Sequence, residues 1–499
     1  SDPKNIVIEH QIAYFVFFRG GSISVMLGWL SPKIAFALVS FSLGELGDGL
    51  NIFQGIYLVG IGWNEGSIGI ALSLMGLTAL LVQPWAGDIV DKTNIDRRIF
   101  LTTASIATAL TASAILFVRP GNTDHILIFV TKVLEGIAGS FIGPCLAALT
   151  LANFGPKHFD AIMASNIFWG HVGSVVAAIL AGGTAYALYP NIKYCFLVIG
   201  ASALVAILFV GYLPQGDQAM GRGLKGKGLA LDEQGHVENI DNADKNHDDN
   251  DTAPPAIEQQ QSQQEQSATY WEVFADRNVF IVCATGFFFH FANANVLLVL
   301  GELMGGDNDD GTPKQSAIPL IAGAIVTAQL TMAIATIAGD KLTARGVGRK
   351  PLFLAGLATL PIRCALIIYW KDAGEAFLLS TQVFDGLGGG LCGLIHPYLL
   401  ADIAFGSGRF NVLMGLSASC FGLGATLSNY LGQMIVENMG HVASLTGSLF
   451  LSFIPVILFA ALMPETMGLR GQLAPNTHYD DEISEKKAEN HKESYIQMA

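Results

Sequence analysis

Twelve stretches of this chain are apolar for long enough to cross a lipid bilayer, and that pattern leaves few architectures open. A crossing helix needs about 20 apolar residues, because each adds only about 1.5 Å of rise. Six stretches lie near 34–62, 68–87, 99–118, 125–153, 161–188 and 194–213. Six more lie near 279–301, 317–338, 351–370, 375–404, 411–435 and 442–463. Backbone polar groups in hydrocarbon must be satisfied within the segment, so such runs read as helices. The predicted fold class is an all-α membrane protein, with twelve transmembrane helices as two six-helix pseudo-symmetric bundles. Composition agrees: 14% of residues are charged, against about 25% in soluble domains.

The segments between the runs divide the chain. Residues 1–33 are expected to form a cytoplasmic or interfacial segment; the apolar patch from Ile12 to Phe18 is too short to span. The chain opens on Ser1 rather than Met, which reads as a truncated or processed start, and no cleavable signal is evident. The first span can serve as the insertion signal. A six-helix bundle over 34–213 precedes a polar stretch, 214–270, that includes NADKNHDDNDTAPP and EQQQSQQEQ. With few aromatic or β-branched residues, that stretch is expected to be a disordered cytoplasmic linker. Thr269 to Arg277, TYWEVFADR, reads as a short interfacial helix leading into the second bundle, 271–465. The tail, 466–499, is again expected to be disordered.

Lys33, Lys92, Arg97, Arg98, Lys157, Arg277, Lys341, Arg345, Arg349, Lys350 and Arg409 all fall on one side of the membrane by this topology, together with the basic residues of the linker and tail. Arg119, Lys193, Lys314 and Lys371 fall on the other. The first side is the basic face. The positive-inside rule predicts that it is cytoplasmic, with both termini on it. The net charge of −14 argues against a nucleic-acid partner. The six cysteines all lie in apolar segments without metal-ligand spacing and read as packing residues. No cofactor or metal is expected, and no nucleophile–base motif or phosphate loop points to an enzyme.

The two halves repeat each other. Ala86 to Arg98, AGDIVDKTNIDRR, closes the second span and Ala338 to Lys350, AGDKLTARGVGRK, closes the eighth. Lys132 to Gly143, KVLEGIAGSFIG, matches Gln382 to Gly393, QVFDGLGGGLCG, so Glu135 pairs with Asp385. Phe159 to Met163 matches Phe410 to Met414, and Gly173 matches Gly424. Duplication of a six-helix unit is a signature of secondary transporters.

With this repeat, its long central linker and the loop motif after spans 2 and 8, the chain resembles the major facilitator superfamily. The first motif copy retains Gly87, Asp91, Lys92, Arg97 and Arg98, with about two extra residues and without the family's second Gly. The second retains Gly339, Asp340, Gly346, Arg349 and Lys350, but Thr343 stands where an Asp would be expected. The ending Met463-Pro464-Glu465-Thr466 looks like that of sugar porters, although its counterpart after span 6 is absent. PWAGDIVDKT, FHFANANV and QVFDGLGGGLCGLIHPYLLADI look like a drug-efflux-like microbial branch.

The resemblance implies that spans 1, 4, 7 and 10 line a central cavity. Span 1 carries Glu45, Asp48 and Asn51 inside an apolar run from Ile34 to Gly62, expected to be one helix of about 42 Å. A carboxylate at mid-membrane costs about 2.5 to 3.5 kcal/mol, so these acids need a protein interior or a wet cavity. Depth alignment of spans 1 and 7 puts Glu45 opposite His290 and Asp48 opposite Asn293. Lys132 and Glu135 in span 4 and Gln382 and Asp385 in span 10 join the substrate and proton site, with Asn166 and His171 of span 5. Lys132 could neutralise Glu135 or one of the span-1 acids. Arg363, on peripheral span 9, either snorkels outward or pairs with an acid such as Asp385. In the loop motif, Asp91 can cap a neighbouring helix or pair with Arg97 or Arg98, giving a gate on the basic face with Gly87, Lys92, Gly339, Asp340, Arg349 and Lys350.

The expected function is secondary active transport of a small molecule by alternating access, proton-coupled, with an efflux antiporter slightly preferred. A solute-uptake symporter or uniporter, or a non-transporting receptor, is the alternative. The expected partners are the small-molecule substrate, protons and the lipid bilayer, with the protein monomeric in a plasma or organelle membrane.

Overall fold

In a computed structural model of the chain, residues 30–44, 46, 50–121, 123–189, 191–224, 229–231, 237–239, 270–305, 315 and 317–469 are described. Glu45 and Asp48 lie outside the described residues, as does the tail from residue 470. Among the described residues, ten helices are long and apolar enough to cross a membrane. One of them, His125–Ala187, holds two spans: its 63 residues are broken at Gly155, where φ is 64° and ψ 176°. Glycine takes that left-handed φ without penalty, and Pro156 restarts the helix with its φ already set. Spans 4 and 5 are therefore joined by a one-residue break.

The twelfth span comes from the first apolar run, where the structure corrects the expectation of a single helix. Span 1 is two shorter helices, Pro32–Leu43 and Asn51–Gly60, with Leu50 between them at a positive φ of 56°. Gly44, Gly47 and Gly49 crowd this stretch, and each glycine costs a helix interior about 1 kcal/mol relative to alanine. Gly44 is also pressed against the backbone of Gly170 in span 5, leaving no room for a β-carbon. Interrupted helices at membrane depth are tolerated where protein or a cavity surrounds them.

The other spans are Glu65–Lys92, Arg97–Ser113 extended by a 3-10 turn Ala114–Phe117, and Leu197–Val210 after the 3-10 turn Ile192–Phe196. The second half contributes Arg277–Gly305, Ala317–Ala344, Arg349–Trp370, Glu375–Ser380 continued by Gln382–Ala404, Phe410–Met439 and His441–Leu462. The halves meet along two seams, span 2 against span 11 and span 5 against span 8. The expected lead-in helix is present as Tyr270–Ala275, and Asp276 then caps span 7 by accepting from the Asn278 amide at 2.7 Å.

The segment 214–270, expected to lack structure, has described structure at its start. Residues 214–224 fold against the basic ends of the spans, with a 3-10 turn at Met220–Arg222. Strand β1 (Leu229–Leu231) pairs antiparallel with β2 (Val237–Asn239). Composition averaged over the linker hid this: Met220 and Leu224 are apolar anchors, and both are buried.

Candidate functional site

The structure brings Asn293, Gln382 and Asp385 of the expected site into one network with Arg363. Arg363 is fully buried (0% exposed) and does not snorkel. Its Nη1 donates to Asp385 Oδ1 at 2.6 Å and to Asn293 Oδ1 at 3.0 Å, while Nη2 donates to Gln382 Oε1 at 3.2 Å. Asn293 Nδ2 completes the ring by donating to Asp385 Oδ1 at 3.2 Å. Three helices, spans 7, 9 and 10, are tied through one guanidinium, whose fork of donors suits this geometry. Arg363 Nε and Gln382 Nε2 are buried with no hydrogen-bond partner among the described residues.

The first half solves the same charge problem within one helix. Lys132 Nζ lies 3.0 Å from Glu135 Oε2, and both side chains are only 2% exposed. Residues three apart share a helix face, so this pair needs no second element to form. Glu135, one of the partners open to Lys132, is bonded to it. The side chain of Asn51 lies outside the described residues, as do Glu45 and Asp48.

His290 stacks on Phe421 of span 11, centroids 5.1 Å apart at 23°. A second histidine that the sequence reading missed, His396, also packs on Phe421 at 4.8 Å and meets Ser417 Oγ through Nε2 at 2.9 Å. A signal existed: His396 stands eleven residues after Asp385, about three helical turns, hence on the same face. Asn166 and His171 bond to residues outside the expected set. Asn166 Nδ2 donates to Thr150 Oγ1 at 2.9 Å, bracing span 5 on span 4. His171 Nδ1 meets Gln329 Oε1 of span 8 at 2.7 Å, across the seam between the halves.

The alignment of spans 1 and 7 shifts by one residue. Gly173 packs against the Phe41 carbonyl, and its repeat mate Gly424 packs against the Phe287 carbonyl. Phe41 thus corresponds to Phe287, which puts Gly44, not Glu45, opposite His290. Alignment by depth used helix ends, which repeats do not keep in step.

On the basic face, Asp91 takes the capping role. Its carboxylate accepts from Asn411 Nδ2 at 2.7 Å and from the Val412 backbone amide at 2.9 Å, at the first turn of span 11 in the other half. A carboxylate there meets unsatisfied helix donors and the positive end of the dipole. Gly87 permits the approach, since a β-carbon at that position would overlap the Asn411 carbonyl. Asp88, not singled out from sequence, bridges Arg409 of the other half at 3.0 Å and Lys92 at 2.9 Å. Arg98 turns to its neighbour Asp96 and to the Leu213 carbonyl at 2.9 Å rather than to Asp91. Arg97 donates to the Gln218 carbonyl at 3.2 Å.

The second motif copy holds the other seam differently. Arg349 pairs with Asp160 of span 5 and with Asp402 at 3.4 Å. Tyr398 donates to the Asp160 carbonyl at 2.6 Å and to Asp340 Oδ1 at 3.3 Å. Gly339 lies against Leu394 of span 10. Glu465 accepts from the backbone amides of Arg349 at 2.8 Å and Lys350 at 3.0 Å, capping span 9. Burial pushes Glu465 up, but hydrogen bonds from the amides of Met467, Lys350, Arg349 and Thr466 outweigh it and hold the carboxyl below its ordinary value. The Pro464-Glu465-Thr466 ending therefore has a local structural use.

Two six-helix halves in an apolar bundle, with buried ion pairs at repeat-related depths, define a polytopic membrane transporter. Residues 15–328 match the pattern of the Major Facilitator Superfamily. The chain is 31% identical over 443 residues to uncharacterized MFS-type transporters from two strains of Mycobacterium tuberculosis, covering 87% of this chain and 94% of each relative. The chain belongs to the major facilitator superfamily.

Proposed function

We propose that the protein is a proton-coupled secondary transporter that moves a small molecule by alternating access, with efflux antiport as the preferred direction. The observation that carries this reading is the pair of repeat-related acids, Glu135 and Asp385, each neutralised inside the bundle by its own cation. An acid so held can exchange its cation for a proton, and the released Lys132 or Arg363 can then face an incoming ligand. Glu45 and Asp48 add two carboxylates to the same depth of span 1 by sequence. Orientation follows from the Lys and Arg distribution, which supports a cytoplasmic basic face. The cross-half bonds of Asp91, Asp88 and Arg349 then act as the cytoplasmic gate, breaking as the halves rock.

The test is flux in proteoliposomes with an imposed pH gradient in each direction, over a panel of candidate solutes. Antiport requires outward-directed substrate movement driven by inward protons, whereas symport reverses the sign and a receptor shows binding without flux. Asp48→Asn is expected to abolish pH-driven flux while the protein stays folded, as read by its thermal transition in detergent. Full gradient-driven flux in that variant would remove Asp48 from the coupling mechanism.

A further inference from the structure

The stretch that follows span 6 crosses the basic face and bonds to both halves. Its attachment to the first half is dense. The Asp217 amide donates to the Ala152 carbonyl at 2.8 Å, and Arg97 donates to the Gln218 carbonyl at 3.2 Å. Gln218 Nε2 reaches the Asn94 carbonyl at 3.1 Å. Arg222 Nη2 donates to the Thr93 carbonyl at 3.1 Å and to Asn94 Oδ1 at 2.6 Å. Asp217 Oδ1 closes the turn by accepting from the Ala219 amide at 2.8 Å.

Among the described residues, two bonds tie the same stretch to the second half, and both use its backbone carbonyls. Asn411 Nδ2 donates to the Gly221 carbonyl at 2.9 Å, and the Gly406 amide donates to the Gly223 carbonyl at 2.7 Å. The Asn411 amide has two hydrogens, and both are spent on the first half, one on Asp91 and one on this stretch. Gly223 adopts φ +85°, and a β-carbon there would sit 3.3 Å from both the Ala404 carbonyl and Phe410 Cβ. The contact thus depends on a residue without a side chain.

We propose that residues 217–224 form a strap that belongs to the first half and latches the second half only while the basic face is closed. Among the described residues, five attachments to the first half against two to the second decide which way the strap goes when the halves part. Opening this face moves the start of span 11 and the loop before it away from span 2. The bonds from Asn411 and Gly406 then break together with the Asp91 cap. The strap therefore adds to the closed state beside the loop motif, with which it shares Asn411 and Arg97, and it places the linker's first residues where a change in the linker can reach the gate. This inference rests on alternating access but not on the substrate, the direction or proton coupling.

The experiment is a pulsed electron–electron distance measurement in lipid nanodiscs, with spin labels at Ile95→Cys in the 2–3 loop and Arg345→Cys in the 8–9 loop. No substrate or gradient is needed, so a failure of the strap is distinguishable from a failure of the coupling reading. Gly223→Val wedges the strap off the second half, and Arg222→Ala frees it from Thr93 and Asn94. Each is expected to raise the ratio of basic-face-open to closed molecules by about fivefold, the effect of one net hydrogen bond. Asp91→Ala serves as the positive reference, and its shift is expected to be less than additive with that of Gly223→Val, because Asn411 bonds both Asp91 and the strap. Unchanged distances in both strap variants overturn the proposal, whatever Asp91→Ala does. If Gly223→Val fails to fold, Arg222→Ala decides alone by the same criterion.

Discussion

The two halves descend from one repeat yet neutralise their buried charge in different ways. Glu135 and Asp385 occupy matching positions, but the cation for Glu135 stands one turn away on the same helix, and the cation for Asp385 comes from span 9. The position equivalent to Lys132 is Gln382, which instead accepts from Arg363. A pair within one helix moves with that helix, and its Lys132 also meets Met75 Sδ of span 2 at 3.8 Å. A pair between helices, with Asn293 added, binds spans 7, 9 and 10 into a single body. The same contrast recurs on the basic face. Asp91 caps span 11 directly, whereas its counterpart Thr343 has a buried hydroxyl with no hydrogen-bond partner among the described residues, and the acid of that seam sits instead on Asp160. Duplication preserved where charge is needed and let each half choose which element supplies it.

The sharpest way to break this comparison is to remove Arg363. Arg363→Ala leaves the partly buried Asp385 without its cation, at an expected cost of about 3 kcal/mol, the low end for a buried pair. The variant should show a large fall in thermal midpoint in detergent. Adding Asp385→Asn should recover most of that stability, because it removes the stranded charge. A single variant as stable as the parent would show that the second-half network is dispensable. Lys132→Gln tests the other half, and its thermal loss should be smaller when paired with Glu135→Gln than when made alone.

A second measurement sharpens the contrast between the seams. Asp91→Ala removes the cap on span 11 and the Asn411 bond, expected to cost about 1 to 2 kcal/mol of closed state. Asp160→Ala removes an ion pair and leaves Arg349 with Asp402, so its effect should be smaller. Alkylation of Ser419→Cys reads this, since Ser419 is buried and bonded across the span 2–11 seam to the Leu80 carbonyl at 2.6 Å. Faster labelling in Asp160→Ala than in Asp91→Ala would reverse the assignment of the principal latch.

Much of the fold was legible because hydropathy and internal repetition are properties of long windows. The twelve spans, the Glu135–Asp385 match and the helix before span 7 all follow from such windows. Arg363 was legible as a problem, with Asp385 as a candidate acid, but the sharing of its guanidinium with Asn293 and Gln382 needed three dimensions. The break in span 1 was written in the glycines around Glu45 and Asp48, yet an apolar run reads as continuous when only its mean is weighed. Asp88 and Asp160 were missed because each acts through a partner far along the chain, and nothing in local spacing names Arg409 or Arg349.

The smallest expected effect concerns Glu465, which has no acidic counterpart after span 6, where Gln215 stands. The first half caps span 3 from within, through Asp96 accepting from the Arg98 amide at 3.0 Å, and the second half imports Glu465 from beyond span 12. Because folding lowers the Glu465 carboxyl below its ordinary value, its contribution is full above the unfolded value of about 4.3 and is lost as pH falls through the folded one. Glu465→Gln should therefore cost about 0.5 kcal/mol at neutral pH, within the range for a charge at a helix end. That difference should close as the buffer is taken below about pH 4. Thermal midpoints of the two proteins measured from pH 7 downward check this. A gap that stays constant with pH would mean that the Glu465 charge is not what stabilises the cap.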